Sequence, residues 1–429
     1  MSEPAAAPVV DAVRAGLARS DRVFWLDGGG ARGWSGRRSL VGVLGDDDVS
    51  LSYDAGRREV TRHAGGADEV VGDDVFTVLE SELARDAGDP GVHWVGCLGY
   101  AARPDLPARP WGRGPDAVWL RCTDVRFFRH DGSRQARPAG GARPAAGARP
   151  AEPVEPVETP PPWYAAAFAR VQEQLRAGNS YEVNLTYREQ VPGADDLLGA
   201  YLRLRAANPA PYAGLLTHRG THLLSSSPER FATIDADRWL ETRPIKGTTP
   251  RGADAVTDAR LAERLATDPK FRAENLMIVD LLRHDLASVC DVGTVSVPHL
   301  MEVESYAAVH QLVSTVRGRL REEVGTVAAL RALFPAGSMT GAPKRRTMEV
   351  VDAVEQDARG LYAGAFGWVC ADGRADLGVV IRSLLGAPDG SWWLGTGGGI
   401  TVRSDVAEEW AETRWKAERL LGALGAPPS

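Results

Sequence analysis

The chain has 429 residues, with 50 Lys and Arg against 57 Asp and Glu, a net charge of −7 and 44% hydrophobic residues. That length fits two or three domains or one large intertwined unit, and an acidic balance without a Lys/Arg-rich run excludes nucleic acid or an anionic membrane as main partner. No apolar stretch is long enough to span a bilayer, the first residues lack a signal-peptide pattern, and Cys97, Cys122, Cys290 and Cys370 show no CxxC pairing. A cytoplasmic protein without structural zinc or disulfides is expected.

Between about residues 20 and 130, Val, Leu and aromatic runs between Gly/Asp clusters predict strands over 22–26, 39–44, 49–53, 93–100 and 117–128. One helix interrupts them over 75–88. Residues 135–162 repeat an Ala-Arg-Pro unit at Arg137, Arg143 and Arg149 and are dense in proline, which fixes φ and lacks the N–H. They read as a linker between a β-rich region, 1–134, and a second region, 163–424. There the pattern predicts a helix over 163–178, a strand over 181–191, a hairpin turning at Arg219-Gly220 and a strand over 239–245. Helices follow over 273–289 and 342–358, the second with Pro343 near its first turn and Gly360 past its end. A meander (362–370, 375–386, 391–400) and a long helix over 406–424 close the chain. Antiparallel strands with helices clustered between them predict an α+β layered fold rather than a doubly wound one.

Several groups could carry chemistry. Glu409, Glu412 and Lys416 stand at i, i+3 and i+7 of the last helix, so they share a face. Two carboxylates so placed can hold a hard divalent cation, although the same spacing makes a solvated helix face. Gly397, Gly398 and Gly399 read as a loop directly after a strand, whose free N–H groups can meet an anion. Lys246 closes an apolar strand before Gly247 and Thr248; buried, it would lose its charge easily and act as a nucleophile. Glu229, between Pro228 and Arg230, is a general acid or base if buried. Cys97, in Gly-Cys-Leu-Gly, lacks a glycine two residues before it, and none of the eight histidines begins a His-x-Glu, so a glutamine-hydrolysing nucleophile is excluded.

YEVNL, NPAPY, SSSPERF, TRPIKGT, RAENLMIVDLLRHD, AVHQLVST, FPAGSMTGAPKRRTME, YAGAFG, IRSL, GGGI and EEWAETRWKA occur in this order between 163 and 424. Together they resemble the chorismate-utilising enzymes, most strongly component I of the aminodeoxychorismate synthase branch and closely that of the anthranilate synthase branch. The resemblance implies a two-layer antiparallel α/β sandwich with a central cleft for chorismate and Mg²⁺. It implies Glu274 and Glu412 as metal carboxylates with Glu409 near them. It also implies Arg382, Tyr362, Thr340, Lys416, Gly247, Thr248 and the Gly397–Gly399 backbone around the substrate. Water-adding relatives carry Lys where this chain has Glu182, which disfavours that branch. Anthranilate synthases read Pro-Ile-Ala-Gly-Thr where Lys246 stands here. The implied activity is therefore amination of chorismate at C4 with ammonia, supplied by a separate glutamine amidotransferase subunit. In that chemistry Lys246 adds at C2 and Glu229 protonates the departing hydroxyl; the product is 4-amino-4-deoxychorismate, the precursor of p-aminobenzoate and folate. Anthranilate-type C2 amination is the alternative. Gln311 replaces a family His, His284 a family Asn, and Asn208–Tyr212 matches part of a tryptophan pocket in relatives.

Overall fold

The computed structural model describes residues 7–28, 38–130, 159–194, 196–306 and 309–424. Alternation decides how its strands are buried. In Arg22–Asp27, Phe24 joins the largest apolar cluster while its neighbour Trp25 joins a second one on the opposite face. Leu215/Leu216, Leu223/Leu224 and Leu384/Leu385 divide in the same way. These residues belong to a nine-stranded sheet whose order includes Glu182–Val191, Trp392–Ile400, Ser383–Gly386, Thr221–Ser227, Tyr212–His218 and Arg22–Asp27. A twelve-stranded sheet runs from Ile245–Pro250 through Val309–Arg319, Trp239–Arg243, Arg230–Ile234, Ala375–Val379, Ala365–Cys370 and His93–Leu98 to Ala67–Gly72. Neighbouring strands pair antiparallel.

The largest cluster joins Phe24, Leu216 and Leu385 of the first sheet to Trp119, Phe231 and Leu377 of the second. Ile278 and Leu282 of the helix Pro269–Ala287 and Leu330 of Thr326–Leu333 belong to it as well. The other face of the first sheet packs under the helices Ala7–Leu17, Leu197–Ala207 and Val406–Leu421. The α+β sandwich expected from the sequence is the observed architecture. Among the described residues no helix is long and apolar enough to cross a membrane.

Strands from both ends of the chain share the sheets: Arg22–Asp27 pairs with Tyr212–His218, and His93–Leu98 with Ala365–Cys370. Most of the Pro-rich stretch, 135–158, lies outside the described residues; its final residue, Pro162, opens the helix Pro162–Arg176.

Several readings change. The 117–128 stretch is two strands, Ala117–Cys122 of the twelve-stranded sheet and Arg126–Arg129 of the nine-stranded one, parted by a bend at Thr123-Asp124, and the strand predicted over 239–245 stops at Arg243. The 375–386 stretch is two strands, one in each sheet, with the crossing at 380–382 and Arg382 at φ 48°. The helix predicted to run toward Gly360 stops at Val354, because Glu355 turns inward to accept from Thr186 N (2.7 Å) and to pair with Arg359 (2.7 Å). Gly397–Gly399 are not a loop after a strand but the inside of Trp392–Ile400, paired with Thr186, Leu185 and Asn184.

Candidate active site

Two of the points at which the chain passes between the sheets lie side by side, and both carry predicted residues. Pro228–Glu229 connects Thr221–Ser227 of the first sheet to Arg230–Ile234 of the second, and 380–382 leads back. Val379 N donates to Glu229 O (3.0 Å) and Ser226 N to Arg382 O (3.2 Å), so the crossings are stitched together. Beside them lies a cleft of about 880 Å³, open to solvent.

Lys246 reaches this cleft through a bulge. Pro244 ends the strand Trp239–Arg243, having no N–H to donate. The next strand pairs Ile245 with Val313 and then Thr248 with Gln311, which sets Lys246 and Gly247 against a single partner residue. Gly247 takes φ 88°, where a Cβ would be strained and would also press on Leu265 and the Phe271 ring. Such bulges re-aim a side chain, and here the lysine points inward.

Lys246 is 9% exposed and ion-paired to Glu182, which is fully buried; Lys246 Nζ also lies 3.4 Å from Ser338 O. From the sequence, burial is expected to leave this amine uncharged. Burial does push in that direction, but the charge and hydrogen bond of Glu182, with Glu274 and Glu229 nearby, outweigh it and hold Lys246 above its usual value. The lysine of the isolated protein is thus an ion-paired ammonium. Glu182 was legible as an anomaly, a carboxylate inside the apolar run Tyr-Glu-Val-Asn-Leu, but nothing local revealed its partner 64 residues away.

Glu229 is buried, and desolvation raises its carboxyl to about 7 despite a 2.5 Å hydrogen bond from Ser338 Oγ and the charge of Lys246. Near neutrality it holds a proton that an ordinary glutamate has lost. Glu274, on Pro269–Ala287, is raised to about 8 by burial and by Glu182, and its Oε1 is buried without a hydrogen-bond partner.

The last helix brings Glu412 and Lys416 to the cleft as a 2.8 Å ion pair. Lys416 pulls Glu412 below the usual carboxylate range, and half of the Glu412 side-chain surface reaches solvent although it sits deep among cleft atoms. Lys416 also donates to Gly397 O (2.9 Å). Glu409 lies behind the wall, buried and paired with Lys270 (3.1 Å), and burial raises its carboxyl. A Cβ at Gly399 would collide with Glu182 Oε1, so this strand position must be glycine for the Glu182–Lys246 pair to sit beside it.

Of the residues singled out from the sequence, Glu229, Lys246, Gly247, Thr248, Glu274, Tyr362, Arg382, Gly397, Gly398, Gly399, Glu412 and Lys416 line this one cleft. Thr340 and Glu409 are not among the lining residues; the Thr340 hydroxyl turns back to the carbonyls of Gly337 and Gly341 (3.2 Å each). Ser338, Asn184 and Gln311 line it without having been proposed as site residues. Gln311 faces the cleft with Oε1 buried and unpartnered, whereas His310 is held by Ser305 (2.7 Å) and Asp258 (3.0 Å). His284 is an exposed helix residue, and Cys97 is a buried strand residue whose thiol burial pushes up to about 12. Pro211 and Tyr212 line another cavity, of about 930 Å³, with Asp27 and Trp368.

The chemistry of the donor set suits a hard divalent cation. Glu274 carries an orphaned buried oxygen, Glu412 shares its cleft, and Glu409 stands just behind Gly398. Among the described residues no three His, Cys, Asp or Glu side chains close on one point; lysines partner Glu182, Glu409 and Glu412 instead.

The family described as chorismate binding enzyme matches residues 53–422. An aminodeoxychorismate synthase of Streptomyces pristinaespiralis is 39% identical over 98% of this chain and 64% of its own length. Component 1 of the Escherichia coli K12 aminodeoxychorismate synthase is 43% identical over 61% of this chain and 57% of its own. The chain thus spans less than two thirds of these relatives. The crystal structure of anthranilate synthase component I from Streptococcus pneumoniae superposes with a TM-score of 0.73 at 25% identity, covering 90% of this chain and 92% of that one.

Proposed function

The chain belongs to the chorismate binding enzyme family, and within it we propose that it aminates chorismate at C4 with ammonia to give 4-amino-4-deoxychorismate. The observation that carries this reading is the buried Lys246, aimed by its bulge into the cleft that also holds Glu229. Chorismate is a dianion, and Arg382, Lys416 and Lys246 are cations of the same cleft.

In the proposed sequence Lys246 passes its proton to Glu182 and its free amine adds to C2 of the ring. The C1=C2 and C5=C6 electrons shift to C1=C6 and C4=C5, and the C4–O bond breaks as Glu229 gives its proton to the departing hydroxyl, releasing water. Ammonia then adds to C4, the double bonds shift back, and the C2–N bond breaks to release the lysine amine, which takes its proton back from Glu182. The new ammonium at C4 reprotonates Glu229. The pyruvyl ether is retained throughout, and a hard substitution becomes two allylic ones. Glu274 and Glu412, with Glu409 behind them, would hold Mg²⁺, which when bound withdraws electrons from the ring carboxylate. Ammonia would come from a separate glutamine amidotransferase, and the product would feed p-aminobenzoate and folate synthesis. The four buried, unpaired cysteines suit a cytoplasmic setting.

The test is to incubate the protein with chorismate, ammonium and Mg²⁺, then with an aminodeoxychorismate lyase. Formation of p-aminobenzoate supports the reading; fluorescent anthranilate as the main product replaces it with C2 amination. Mg²⁺ is also expected to raise the thermal unfolding midpoint, by the equivalent of about 2.7 kcal/mol at a hundred times its dissociation constant. Glu274→Gln should show little of that shift, and an equal shift in both proteins would remove Glu274 from the metal set.

A further inference from the structure

One residue touches both groups given reacting roles above. Ser338, in the short helix Gly337–Thr340, donates its hydroxyl to Glu229 Oε1 at 2.5 Å, and its carbonyl lies 3.4 Å from Lys246 Nζ. It is 7% exposed, and the turn that carries it is fixed from behind. Arg359, itself buried and paired with Glu355, donates to the carbonyl of the next residue, Met339, at 2.6 Å. The turn that carries the serine is therefore held from behind, beside the Pro228–Glu229 crossing.

We infer that Ser338 is a positioning residue that sets the separation and orientation of proton donor and amine, its hydroxyl holding Glu229 and its carbonyl holding Lys246. This rests on the function proposed above and adds to it a residue that neither motif nor chemistry had assigned a role. The reaction forms a bond at one ring atom while a proton arrives at the substituent of another, so both groups must be in place at once. A misplacement of about 1 Å can cost a hundredfold in rate. The hydroxyl also orients the acid: with Oε1 accepting from Ser338, the transferable proton is left on Oε2. The same hydrogen bond favours the ionised form of Glu229, as do the charge of Lys246 and the backbone N–H of Ile245. The remaining charged groups of the cleft are Glu274, Arg382, Glu412 and Lys416.

The experiment compares Ser338→Ala, Ser338→Cys and Ser338→Thr, with unfolding midpoints measured for each. In Ser338→Ala, kcat for the C4 product should fall about tenfold to a hundredfold, with KM for chorismate within about twofold. The alkaline limb of its kcat–pH profile should move to higher pH, because the carboxylate of Glu229 has lost a donor. Ser338→Cys, a weak donor of similar size, should behave like alanine, and Ser338→Thr should return the limb toward wild type. An unmoved limb in the alanine and cysteine variants, or a threonine variant no better than alanine, overturns the inference. If the wild-type protein makes no C4-aminated product, the reading of the site fails; if it does and Ser338→Ala behaves as wild type, only the role of Ser338 fails.

Discussion

Lys246→Ala should abolish formation of the C4-aminated product, a loss on the order of ten-thousandfold or more if the lysine is the nucleophile. It should also weaken the fold, and the two effects have separable causes. Glu182 is fully buried, Lys246 is its ion-pair partner, and its Oε2 already lacks a hydrogen bond. Removing one side of a buried pair leaves an uncompensated charge, which costs about 3–5 kcal/mol. The Lys246→Ala, Glu182→Gln double variant removes that charge, so its urea midpoint should recover much of the loss while product formation does not. Measuring both quantities on both variants decides the matter. A single variant that keeps its rate would show that no covalent bond to Lys246 is needed, and a double variant as unstable as the single one would show that the pair is not what holds this part of the cleft.

This pair also marks the limit of what the sequence could reveal. Motifs single out Lys246, Glu229, Glu274, Arg382 and Glu412, which line one cleft, because each lies in a short run whose residue types are themselves distinctive. The state of those groups depends on contacts between distant segments, and there the reading failed. Burial alone predicted a neutral lysine; a carboxylate from another strand made it an ammonium. Arg382 was read inside one continuous strand, since Val-Val-Ile-Arg-Ser-Leu-Leu has no breaker, yet the chain changes sheets there. The polar hairpin Glu59–Gly72 went unseen because Ala67–Gly72 is an exposed edge without alternation, and the helix Ala255–Thr267 buries only Leu265. The long central strands and the closing helix were legible because their apolar faces are broad and their ends carry clear signals.

Glu229→Gln is expected to lower turnover by about a hundredfold to ten-thousandfold, the range of a lost general acid, while leaving the protein more stable above neutral pH. At pH 7 an ordinary glutamic acid is protonated in roughly one molecule in 300, whereas one held at about 7 is protonated in about half. The acid works in its protonated form, so wild-type kcat should fall as pH rises through about 7, and the glutamine variant should lose that limb. The sign of the stability effect follows from the same shift. A carboxyl raised from 4.5 to about 7 binds its proton more tightly in the folded chain. Its contribution is therefore most favourable below about pH 4.5 and declines as pH rises to about 7, by about 3 kcal/mol at most. Glutamine still accepts from Ser338 but never ionises, so it escapes this decline. Urea unfolding at pH 5 and pH 8 measures it: the variant should gain on the wild type between the two. Equal pH dependence in both proteins would mean that Glu229 is ionised throughout and donates no proton, and the departing hydroxyl would then need another acid.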